Sequence, residues 1–75
     1  MSKADDYYSI IDEVNKLLVI LFETESKQNA WYYHPCYKGL NGLIPATLMR
    51  ENIMEARKVR DVLLEMDRRD NEQDN

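Results

Sequence analysis

The chain of 75 residues has one cysteine, one histidine, one tryptophan, two glycines and two prolines, and these shortages close off several classes of protein. A single cysteine forms no internal disulfide, so a secreted, disulfide-stapled scaffold is excluded. His34 and Cys36 lie two positions apart, but no second cysteine or histidine completes the roughly four N or S ligands of a structural zinc site. No apolar run exceeds the six residues Leu17 to Phe22, far short of the roughly 20 that a membrane-spanning helix needs. The opening MSKADDYY lacks the apolar core and small-residue cleavage pattern of a secretory signal, which favours a reducing, cytoplasmic setting. Basic residues are also short: ten Lys and Arg against fourteen Asp and Glu give a net charge of −4. That balance argues against direct affinity for nucleic acid, which comes mostly from Lys and Arg on phosphates. An acidic chain suits a basic protein surface, although such charge more often serves solubility alone.

Catalytic motifs are missing as well. Gly39 and Gly42 fit neither a GxGxxG turn nor the Walker spacing. No orienting partner or oxyanion-hole pattern turns Cys36 and His34 into a nucleophile and base. The expectation is a protein that is not an enzyme and uses no cofactor and no metal, with Cys36 packed and His34 at the surface.

What is present is an apolar content of 44%, ordinary for a folded domain. A chain this short buries only about 60% of the surface its unfolded form exposes, so its core is thin and a partner or second copy is a natural supplement. Asp5 and Asp6 suit a helix start. From there Tyr7, Ile11, Val14, Leu18 and Leu21 recur at steps of three and four, with Ile10 and Leu17 widening the stripe into an amphipathic helix. From Leu17 to Phe22 the helix is apolar all round, which leaves two readings open: central in the core, or covered by another chain. Residues 23–29 are polar, with Thr24 as a candidate cap, and mark either a break with a new helix or a continuation into Trp31. His34-Pro35 then ends any helix.

Asn41-Gly42 favours positive φ. The flanks alternate over too little length for two strands, so residues 38–44 are read as a turn between helices. Pro45 suits the first position of a short helix. Asn52 and Glu55 then have the spacing of a cap that opens a last helix, with Ala56, Val59, Leu63 and Met66 on one face. The expected fold is all-α: two long helices flanking one or two short helices and a Gly/Pro-containing loop. One domain spans 1–69, and residues 70–75 form a disordered acidic tail.

Residues 31–49 concentrate the Trp, both prolines, both glycines and three of the five tyrosines. Aromatic residues with few rotatable bonds are enriched at interface centres. A sole Trp is more often core than contact, yet four aromatics within seven residues exceed what so small a core can bury. The candidate contact residues are Trp31, Tyr32, Tyr33, Tyr37, Leu40 and Asn41, joined by Asp61 and Glu65 on the last helix. Two kinds of partner fit these features: a protein gripped by the aromatic loop, or a basic nucleic-acid-binding protein or complex covered by a small acidic inhibitor or adaptor, for instance one encoded by a phage. A homodimer through the Leu17 to Phe22 run is a third, architectural reading.

Trp31, Pro35, Leu40, Gly42, Pro45 and Leu48 read together as W-x3-P-x4-L-x-G-x2-P-x2-L, followed by an amphipathic helix with Val59 and Leu63. This order resembles the toxin-binding, C-terminal domain of the Xre/MbcA/ParS antitoxins over about residues 20–67. The resemblance implies a small helical module, often dimeric or in larger assemblies, that binds and blocks a NAD-consuming toxin of the RES type and is itself no enzyme.

Overall fold

The computed structural model describes residues 6–73, with side chains through residue 70. Among these the chain forms four helices and no strand: α1 (Tyr7–Leu21), α2 (Glu25–Tyr32), α3 (Pro45–Glu51) and α4 (Ile53–Gln73). The fold is a small all-α domain. Its helix starts are set by local chemistry. The Asp6 carboxylate accepts from the Ser9 N–H at 2.9 Å, the Thr24 hydroxyl from the Lys27 N–H at 3.2 Å, and the Asn52 side chain from the Glu55 N–H at 3.0 Å. Each satisfies a donor that a helix leaves unpaired at its first turn. Pro45 opens α3 without a cap bond, since it has no N–H to lose.

Thr24 decides between the two readings of the 23–29 segment: α1 stops and a new helix begins. Phe22 is the joint, its N–H donating to Leu18 and its carbonyl taken by the Gln28 side chain at 3.1 Å. Helix α2 ends with the Tyr33 N–H on Asn29 and the His34 Nδ1 on the Ala30 carbonyl at 2.8 Å. The following loop closes on itself through one antiparallel bridge between Cys36 and Leu43. Cys36 N–H donates to Leu43 at 3.0 Å, and Gly42 N–H donates back to Cys36 at 2.9 Å. Asn41 and Gly42 take φ of 56° and 80°, and Gly39 takes 91°, so the chain reverses in a turn without building strands.

Helices α1 and α4 supply most of the core. Ile10, Val14, Leu17 and Leu18 from α1 meet Ala56, Val59 and Leu63 from α4, with Leu48 and Met49 of α3 closing one side. The two long helices run in the same direction. Tyr7 donates its O–H to the Met49 carbonyl just ahead of α4, Glu13 lies 3.9 Å from Arg60, and Leu21 and Phe22 share a groove with Val62 and Met66. The expected stripe on α1 is rotated slightly: Ile10 and Leu17 are buried, whereas Tyr7, Ile11 and Leu21 lie at the rim.

Helix α4 also continues past the expected boundary at 69, as far as Gln73. Its final turns lack apolar residues, but Glu65 bonds Arg68 at 2.8 Å and Arg69 at 3.1 Å. No Gly or Pro interrupts residues 70–73. Of the expected tail, residues 74 and 75 lie outside the described residues. No helix among the described residues is long and apolar enough to cross a membrane.

Candidate partner-binding groove

Because α2 is short and lies near the end of α1, it leaves part of α4 uncovered. The result is an open groove of about 1080 Å³ between α4 and the segment from Ala30 to Gly39. Its floor is Leu21, Phe22, Trp31, Val62 and Met66, all partly buried against the core. Trp31 stacks on Phe22 with ring centres 6.2 Å apart and planes 29° from parallel, which fixes the indole as a wall of the groove. Tyr37 lies on the lip formed by the 30–39 segment, 79% exposed. The lip is held close to α4 by Gly39, where an added Cβ would meet the Val62 Cγ2 at 2.8 Å.

The α4 rim carries Lys58, Asp61, Glu65, Arg69 and Asp70, and Lys38 faces it from the loop. Most of these charges have neighbours of opposite sign: Lys58 with Glu55 at 3.3 Å, Asp61 with Arg60 at 3.4 Å, and Glu65 with Arg68 and Arg69. The groove is therefore apolar at its floor and balanced in charge at its rim. The hydrogen bond from Arg69 and the charge of Arg68 hold the Glu65 carboxyl below the usual glutamate range. A folded-state value below the unfolded one means that this arrangement favours the fold at neutral pH and is lost as pH falls through the folded value. A carbon-detected NMR titration is expected to place Glu65 below an ordinary glutamate, and Arg69→Ala to move it back toward the ordinary value; a midpoint unmoved by Arg69→Ala would remove the pair.

Of the residues expected at a contact surface, the structure brings Trp31, Tyr37, Asp61 and Glu65 into this one groove. Tyr32 and Tyr33 do not line it. Their rings form an edge-to-face pair 5.0 Å apart, with Tyr33 exposed and Tyr32 half-buried toward Tyr7 and Arg50. Burial first, and then the neighbouring Tyr33 and Tyr7, push the Tyr32 phenol up, with Arg50 opposing. Asn41 is exposed in the turn, away from the groove. Leu40 is corrected: it is 2% exposed and belongs to the core, because the turn around Gly39 and Asn41 points its side chain inward as an anchor.

Phe22 and Met66 are groove residues that the sequence marked only as the end of an apolar run and as helix stripe, and Val62 lines the groove with them. Their apolar periodicity was visible, but the failure of α2 to cover them depends on tertiary placement. The Cys36 thiol donates to the Lys38 carbonyl at 3.4 Å, and His34 caps α2, so both have structural partners. Among the described residues no group of three or more His, Cys, Asp or Glu is placed to hold a metal ion. No protein-family model matches the chain, and neither the curated proteins nor the solved structures contain a match.

Proposed function

We propose that this chain is a non-catalytic binding module that engages a protein through the groove between α4 and the 31–39 segment, and that its partner is a NAD-consuming toxin of the RES type. The observation that carries the reading is the uncovered aromatic and aliphatic floor of that groove. Contiguous exposed apolar surface marks interaction sites, and Trp and Tyr are the residues most often found at the energetic centre of an interface. The choice of toxin rests on the ordered Trp31, Pro35, Leu40, Gly42, Pro45 and Leu48 pattern. Arginines beside Asp61 and Glu65 leave α4 as a balanced ladder of charge, which supports an apolar contact over the acidic cover for a basic surface.

The test is a purified NAD-consuming enzyme of this type, encoded beside the chain, assayed with and without it. Equimolar chain is expected to suppress NAD loss at least about tenfold, with little dependence on salt because the contact is mainly apolar. Tyr37→Ala, at an exposed position that the fold tolerates, is expected to weaken binding about 10- to 30-fold. Unimpaired NAD loss at saturating chain would remove the toxin reading. Full-strength binding by the Tyr37 variant would move the contact off the groove.

A further inference from the structure

We infer that Asn41 is a modification site: its side-chain amide is lost through attack by the Gly42 backbone nitrogen, and the folded turn holds that reaction off until the loop opens. Of the asparagines in the chain, Asn41 alone is followed by glycine. A residue without a Cβ leaves its own nitrogen unhindered and its backbone free to swing toward the preceding side chain. Asn41 is exposed, at a φ of 56°, so water and hydroxide reach it. They are the only other reactants the chemistry needs. The Gly42 nitrogen gives its proton to hydroxide and bonds to Asn41 Cγ, closing a five-membered succinimide. The Cγ–Nδ2 bond breaks, and the departing nitrogen takes a proton from water to leave as ammonia. Water then opens the ring at one of its two carbonyls. Position 41 becomes aspartate, or isoaspartate with the main chain running through Cβ and Cγ.

The gate is the turn itself. The Gly42 N–H donates to the Cys36 carbonyl at 2.9 Å, so the proton that must leave is held. Bonds from Cys36 N–H to the Leu43 carbonyl at 3.0 Å and from Leu43 N–H to the Leu40 carbonyl at 2.9 Å pin the chain on either side. The Tyr37 ring lies over Gly42, where an added Cβ would meet its Cε1 at 2.8 Å, and Leu40 anchors the same turn in the core. A hydrogen-bonded amide loses its proton only during the fraction of time that its local structure is open. Isoaspartate, once formed, puts an extra backbone carbon between residues 41 and 42, so the bonds made by Gly42 and Leu43 no longer share one register. A transient opening is thereby recorded as a permanent chemical change beneath Tyr37. The inference is independent of what the groove binds.

The experiment incubates the whole chain at mildly alkaline pH, in native buffer and in concentrated urea, and follows aspartate and isoaspartate by peptide mapping and mass spectrometry. In urea the product is expected at position 41 ahead of every other asparagine, and in native buffer its formation should be at least about tenfold slower. Amide hydrogen exchange measures the opening independently. The factor by which folding slows the modification should match the protection of the Gly42 N–H to within about threefold. Leu40→Ala removes the anchor of the turn and should raise the rate in native buffer at least about fivefold; if that variant unfolds, its rate there should equal its rate in urea. Absence of product at position 41 in urea would overturn the site. Equal wild-type rates in native buffer and urea would overturn the gate, as would a native rate unrelated to Gly42 exchange or unchanged by Leu40→Ala.

Discussion

Leu40→Ala is expected to lower the free energy of unfolding by about 2–5 kcal/mol, a large share of the roughly 5–15 kcal/mol that holds a typical domain. Leu40 is the only buried aliphatic side chain that the 33–44 loop contributes to the core. The Cys36–Leu43 bridge closes the loop on itself, and Gly39 lies against Val62 of α4. Removing the side chain leaves a void in the buried cluster that Leu40 shares with residues of α1, α3 and α4, which packed helices close only in part. Urea unfolding followed by far-ultraviolet circular dichroism gives the comparison. Tyr37→Ala, three residues earlier and 79% exposed, is expected to cost less than about 1 kcal/mol. Equal shifts for the two variants would mean that Leu40 does not anchor the loop.

Gly39→Ala is expected to destabilise through two separable costs. The backbone at φ +91° suits glycine, and a side chain there brings strain on the order of 1–3 kcal/mol. The new Cβ would also approach the Val62 Cγ2 to 2.8 Å, which adds overpacking of about 1–3 kcal/mol. Val62→Ala removes the methyl groups in question, so the double variant should be more stable than the sum of the single effects predicts. The backbone cost stays in both. A double-mutant cycle by thermal or urea unfolding separates the two costs. Strict additivity would assign the whole effect to the backbone and loosen the assigned contact between the loop and α4.

The helix starts were legible in the sequence because a cap is a local event. Asp6, Thr24, Pro45 and Asn52 act on donors no more than a few residues away, and the structure uses each of them. The all-α architecture followed from the stripes on α1 and α4 for the same reason. Leu40 was misplaced because a loop has no periodicity to say which way a side chain points; the positive φ angles of Gly39 and Asn41 turn it inward. Leu17 to Phe22 was read as apolar all round, and the structure buries Leu17 and Leu18 while leaving Val19 and Ile20 exposed, since one helix pair and a short cover cannot surround a helix. The groove was half legible: Trp31, Tyr37, Asp61 and Glu65 were named, whereas Phe22 and Met66 line it only because the eight-residue α2 does not cover them. The last turns of α4 carried little signal because residues 67–73 include no apolar residue to mark a buried face.

The two helices that share most of the core stand at opposite ends of the chain, and this orders the events of synthesis. Helix α1 is complete some 32 residues before α4 begins, an interval on the order of seconds at about 5–20 residues per second. During that time Ile10, Val14, Leu17 and Leu18 have no α4 to cover them. A nascent or broken chain ending before Val59 presents that stripe to chaperones and proteases. The stripe on α1 is therefore covered only once α4 has been delivered.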